Sequence, residues 1–254
     1  MICTLEDQAV SLSKRILEQT IACAYYYEEM PEESILRQRF FQKDNLWKFA
    51  IGCIVLPIIN DYYPSLQQLI EEQRMFSAQA LARIIHERFI LFEFLTDSDD
   101  RLLPWVKAEM CREYWFVKDI VERDIQGRKD ERATSEMRLL AALLGDSPSK
   151  NGGFPGPQRR FEVVTRLLDE RAKSEIERWM IKQPSGYIHS NLTVSMRPRM
   201  LHYYVRYSTF LCLRTTMGVC LDNDLLNLPQ QREAKELVSL CDDILTPYRI
   251  HRRS

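Results

Sequence analysis

Glycine is scarce, with eight in 254 residues, and four of them crowd with three of the eleven prolines into Gly145–Arg160 (GDSPSKNGGFPGPQRR). That segment is a loop by mechanism, since glycine frees the backbone and proline removes a donor. No run rich in Val, Ile and Thr alternates with polar residues between turn signals, which leaves no sheet to propose. The longest apolar run, Phe49 to Ile59, spans 11 residues and carries Pro57, short of the roughly 20 that a bilayer requires. No membrane span follows from it. The first residues, MICTLEDQ, place acids where a secretory leader carries Lys or Arg, so the expected compartment is the cytoplasm. The seven cysteines (3, 23, 53, 111, 212, 220 and 241) include no CxxC pair. His202 and Cys212 do not have ligand spacing, so buried reduced thiols are expected rather than zinc or disulfides. Neither a metal nor a cofactor is expected.

What remains is ordinary globular material: 45% apolar, 10% aromatic and 28% charged. The pattern predicts an all-α fold, one domain over 1–254, built as a bundle of seven to eight helices with the long loop at 145–160. Residues 1–60 supply its N-terminal helices, 61–144 its central ones and 161–254 its C-terminal ones. Helices are expected at about 5–29, 33–60 with a kink or break before Pro57, 65–96, 102–126, 130–144, 158–182, 197–226 and 230–245. In the third, Leu66, Ile70, Leu81, Ile84, Ile85, Phe89, Phe92 and Leu95 keep an apolar stripe, which marks it as the central helix. Pro64 and Ser65 are expected to open it, with Ser65 as N-cap.

The net charge of −1 hides an asymmetry. Residues 1–127 hold 14 basic and 21 acidic side chains, and residues 128–254 hold 21 and 15. Between Arg178 and Leu221 there is no Asp or Glu, where average usage would put about six. Arg178, Lys182, Arg197, Arg199, Arg206 and Arg214 alternate there with Trp179, Tyr187, Tyr203, Tyr204, Tyr207 and Phe210. Cations interleaved with aromatics suit a polyanion such as RNA or a diphosphate. Arginine also outnumbers lysine 25 to 10, and guanidinium grips phosphate with two prongs. Arg178, Lys182, Arg199 and Arg206 are therefore the candidate phosphate ligands. The plainer account is that the basic half packs against the acidic half of the same chain.

Three constellations carry chemistry. Arg83 and Glu87 stand one helical turn apart, as an i,i+4 ion pair or as a phosphate clamp whose arginine the glutamate orients. His189 follows Pro184 and Gly186 in an irregular segment, with Ser185 and Ser190 beside it. Arg197-Pro-Arg199-Met-Leu-His202 opens the last long helix and resembles the Arg-x4-6-His signature of HEPN ribonucleases. That resemblance implies metal-independent RNA cleavage, with histidine moving the proton of the attacking 2′-hydroxyl and arginine stabilising the phosphoryl charge. Pro198 stands where the family usually has a polar residue.

A wider stretch, about residues 65–226, is similar to an uncharacterised bacterial family of all-helical proteins with a HEPN-like layout. The likeness rests on Ala82 to Glu87, the helix from Leu103 to Trp115, and the turn Ser185-Gly-Tyr-Ile-His189-Ser190. It implies that Arg83, Glu87 and His189 line one cleft, with Arg197 and His202 as a competing site, and that the chain forms a homodimer. Lys182 takes the place of the family's arginine beside His189. RNA binding or cleavage, in a defence or toxin component, is the leading expectation, and a non-catalytic helical interaction module is the alternative. A third reading compares Asp97-Ser-Asp99-Asp100, Arg214 to Gly218 and Asp242 to Thr246 with the magnesium and diphosphate motifs of class I terpene synthases, although Ile250 replaces the glutamate expected there.

Overall fold

The computed structural model of the protein describes residues 4–22, 39–122, 131–145, 154–166, 168, 170–178 and 198–248. Within them the chain forms nine α-helices and no β-strand. These are α1 (Leu5–Ala22), α2 (Lys43–Glu71), α3 (Met75–Thr96), α4 (Leu102–Glu122), α5 (Glu131–Leu144), α6 (Pro157–Val164), α7 (Glu170–Ile176), α8 (Pro198–Asp222) and α9 (Leu228–Leu245). One hydrophobic core runs from Ala9 in α1 to Ile244 in α9, and the all-helical expectation stands.

Helix α2 runs on through Pro57 and Pro64, so there is no break before Pro57 and no new helix at Ser65. A proline inside a helix removes one N–H and pushes against the carbonyl four residues back. In α2 the turn widens to π-helical spacing at Ile51–Val55 and again at Ile58–Tyr62, each time ending two residues before a proline. The Leu56 N–H bonds to the Ile51 carbonyl and the Tyr63 N–H to the Ile58 carbonyl, five residues back in each case. Such bulges are a known way for a helix to absorb a local insult. The carbonyl deprived by Pro57 is that of Cys53, and Arg88 Nη1 of α3 donates to it. The same guanidinium lies 5.1 Å from the Tyr62 ring centroid.

Because α2 is continuous, by length and composition it could cross a membrane, which the 11-residue apolar run did not signal. Yet Leu46, Trp47, Ile51, Ile54, Ile58, Ile59 and Leu66 are buried in the common core. The Trp47 ring meets Phe92 of α3 edge-on at 6.1 Å.

The true stop comes at Gln73, whose φ of 58° is left-handed. Arg74 N–H bonds to Leu69 O at 2.8 Å and Gln73 N–H to Ile70 O at 3.1 Å, the paired bonds of a Schellman ending. Asp224, with φ 51°, ends α8 the same way, through Leu225 N–H to Cys220 O at 3.0 Å and Asp224 N–H to Leu221 O at 3.4 Å. At α9 the start is a reciprocal capping box of Asn227 and Gln230, both bonds 3.0 Å. The helix expected over 158–182 is cut into α6 and α7, with a turn at Thr165 and Arg166 between them.

Helix α3 is central, packed against α2, α6 and α8. Its contact with α8 keeps a fixed register: His86 Nδ1 lies 2.8 Å from Ser208 Oγ, and Thr215 Oγ1 donates to Glu93 Oε1 at 2.7 Å. Both pairs are separated by 122 residues, so the two helices run parallel with polar contacts one heptad apart. One heptad earlier, Gln79 of α3 comes opposite Leu201, and both polar atoms of its buried amide lack partners.

Candidate functional site

Ser208 Oγ donates to the Tyr204 carbonyl at 3.0 Å, so it accepts from His86 Nδ1–H and leaves Nε2 as the bare nitrogen. Nε2 is buried and unpartnered, and burial pushes the His86 pKa down to about 3. This histidine is neutral and inaccessible: it is part of the packing and has no route to solvent chemistry.

The opposite character appears on the outer turns of α3 and α4 and at the start of α6, which packs on α3. Arg83 Nε donates to Glu87 Oε1 at 2.7 Å, with the two side chains 30% and 44% exposed. The i,i+4 ion pair read from the sequence is therefore present. On α4, Arg112 and Glu109 form a second such pair, spaced i,i+3. Arg160 reaches this region from the first turns of α6 and is half-buried. Its Nε is buried without an acceptor. Burial pulls its pKa down, the carboxylate of Glu87 raises it, the guanidinium of Arg112 lowers it and the carboxylate of Glu109 raises it. Arg160 thus feels the charges of one glutamate of α3 and of a glutamate and an arginine of α4. Arg160, Glu109 and Arg112 were missed in the sequence because their proximity is tertiary. The one local signal was the pair Arg159-Arg160 directly after the Gly-Pro loop.

The start of α8 carries the other cations. Arg199 is exposed, His202 half-buried and Tyr203 36% exposed. Offsets of three and four along the helix bring Arg199, His202 and Arg206 to one side. Arg206 Nε lies 2.8 Å from Glu6 Oε1, an ion pair whose angle falls short of a hydrogen bond. Glu6 Oε2 accepts in turn from Tyr63 Oη at 2.6 Å. Farther along, Arg214 Nε donates to Asp242 Oδ1 at 2.6 Å. To this extent the basic half does pack against acids of its own chain. Arg178 is exposed just beyond α7. Lys182, His189 and Arg197 lie outside the described residues, so the spacings of His189 to Arg83 and of Arg197 to His202 are not fixed.

Three aspartates of the magnesium reading, Asp97, Asp99 and Asp242, are engaged by cations. Asp97 Oδ1 accepts from Arg166 at 2.6 Å and its Oδ2 lies 2.7 Å from Arg101; Asp99 accepts from Lys43 at 2.6 Å. Asp242 holds Arg214, so the supposed diphosphate sensor and metal ligand neutralise each other. Among the described residues no group of three or more His, Cys, Asp or Glu is placed to hold a metal ion. Among the described residues no cysteine is joined in a disulfide: Cys111, Cys212, Cys220 and Cys241 are buried, while Cys53 is exposed. Burial is the first cause raising the pKa of Cys220 and Cys241, each to about 12.

Comparison with protein-family models, with curated proteins and with solved structures gave no match.

Proposed function

We propose that the protein binds a phosphate-bearing polyanion, RNA being the favoured class, through the start of α8. The observation that carries this reading is the exposed Arg199 and Tyr203 with His202 between them, on a helix with no acid from Pro198 to Leu221. A cation beside an aromatic offers both phosphate pairing and a platform for a base. Arg206, already paired with Glu6, supports the helix rather than the ligand.

In the catalytic form of this reading, His202 or His189 takes the proton of the attacking 2′-hydroxyl. The 2′-oxygen bonds to phosphorus as the P–O5′ bond breaks, the leaving 5′-oxygen takes a proton from solvent, and an arginine of the same segment stabilises the charge that gathers on the phosphoryl oxygens. No metal enters such a step, and a cytoplasmic homodimer that joins two basic helices is the assembly it suggests.

The test is fluorescence anisotropy with a labelled single-stranded RNA over a salt series, followed by cleavage of total RNA in EDTA. Binding should weaken linearly on a log–log salt plot, and Arg199→Ala and Tyr203→Ala should each weaken it by about tenfold. Cleavage lost in His189→Ala or His202→Ala names the base. RNA affinity equal in wild type, Arg199→Ala and Tyr203→Ala contradicts the proposal.

A helical interaction module is the second reading. Phe116 and Ile120, one turn apart on α4 and 62% and 42% exposed, favour it.

A further inference from the structure

We infer that the outer face of the second half of α4, centred on Phe116 and Ile120, is a docking stripe for a partner protein segment that presents apolar side chains flanked by Lys or Arg. This stands apart from RNA binding at α8 and rests on the interaction reading, to which it gives a partner chemistry.

The sequence sets this half of the helix apart. From Arg112 to Glu122 it reads REYWFVKDIVE, with six apolar or aromatic residues in eleven, yet only Val117 among them is buried. In the first half Leu102, Trp105, Val106 and Met110 join the main core, and no residue of α4 after Met110 does. Apolar side chains at this density outside the core mark a surface that something else covers. Two sides are closed from within. Helix α5 packs along α4, and the Trp115 ring meets Tyr114 edge-on at 5.5 Å and has Lys118 Nζ 4.7 Å above its centroid. Phe116 and Ile120 remain, 62% and 42% exposed, and an offset of four residues puts them in one stripe.

The charges select the occupant. At about 100° per residue, Glu113 and Asp119 fall about 60° to either side of Phe116, and both are exposed. The neighbouring cations are engaged, Arg112 with Glu109, and Lys118 Nζ with Glu122 Oε1 at 3.5 Å. An acid on each side of an apolar stripe attracts a segment whose apolar anchors have cations beside them. It repels a nucleic acid. Two copies of the chain laid stripe to stripe would gather four acids round one apolar centre, so a second copy meets the same repulsion. Two anchors on one helix face make a small contact of the transient kind, with a Kd of about micromolar order.

The experiment is fluorescence anisotropy of the intact protein with three labelled peptides: a Leu/Lys helix with its leucines on one face, its Leu/Glu twin, and a Leu/Lys peptide of equal composition with the leucines spread round the helix. Wild type should bind the first, and the other two about tenfold more weakly. Phe116→Ser should weaken the first by about tenfold through loss of the anchor, and Glu113→Lys by about as much through charge. Thermal melting confirms that each variant is folded, and Ile120→Asn serves if Phe116→Ser is not. Equal affinity of wild type and Phe116→Ser for the first peptide overturns the stripe. So does a wild-type dimer that Phe116→Ser turns into a monomer, because the occupant is then a second copy. Tighter binding of the Leu/Glu twin, lost in Phe116→Ser, overturns the partner chemistry and leaves the interaction reading standing, whereas wild type that binds no peptide removes both. RNA binding at α8 is untouched by any of these results.

Discussion

Two sides of α3 use polar residues in opposite ways. Toward α8, Gln79, His86 and Glu93 repeat every seven residues. His86 is fully buried and neutral, and it meets a hydroxyl. Toward α6, Arg83 and Glu87 are charged, half-exposed and paired with each other, and Arg160 of α6 feels the charge of Glu87. The first side fixes which residue lies opposite which, because sliding α3 along α8 would leave His86 and Glu93 facing methyl groups. The second keeps its charges at the surface, where solvent screens them and register is not at stake.

The largest expected effect falls on the buried side. His86 has a pKa of about 3 in the folded chain and an ordinary value near 6.5 when unfolded, so the unfolded state takes up the proton first. The stability it represents is present above pH 6.5 and is lost as pH falls toward 3, by on the order of a few kcal/mol. Urea midpoints measured across that window should drop in wild type and stay flatter in His86→Gln; equal slopes would show that the seam does not control acid stability.

Next in size is Arg88→Met, which removes the donor to the exposed Cys53 carbonyl beside Pro57 and should cost about 0.5–1.5 kcal/mol in chemical denaturation. A neutral result means that the π turns manage the proline unaided. Gln79→Leu should act in the other direction. It removes two unpartnered polar atoms opposite Leu201 and should raise stability by about 1 kcal/mol, and a fall would mean that the amide has a partner in solution. Smallest is Glu87→Gln on the exposed side, with a change within about 0.5 kcal/mol at moderate salt. A larger loss would make that pair structural and erase the contrast between the two sides.

Much of this fold was legible. Period and turn signals gave the helical class and the central place of α3, because apolar residues at helical spacing must be buried somewhere. The ends were less so. Gln73 and Asp224 adopt left-handed backbone without the glycine that usually announces it, and Pro57 and Pro64 look like breaks unless one sees the π turns and Arg88. Arg83 with Glu87 was readable because both lie on one helix. Arg160 with Glu87 was not, since nothing in their spacing says that α6 packs on α3. Arg206 appeared as a ligand because its partner, Glu6, lies two hundred residues earlier.

The most direct test of the account is an anisotropy titration of one labelled single-stranded RNA against wild type, Arg199→Ala and Phe116→Ser. The account predicts that Arg199→Ala binds about tenfold more weakly while Phe116→Ser stays within about twofold of wild type. RNA affinity that is equal in wild type and Arg199→Ala contradicts it.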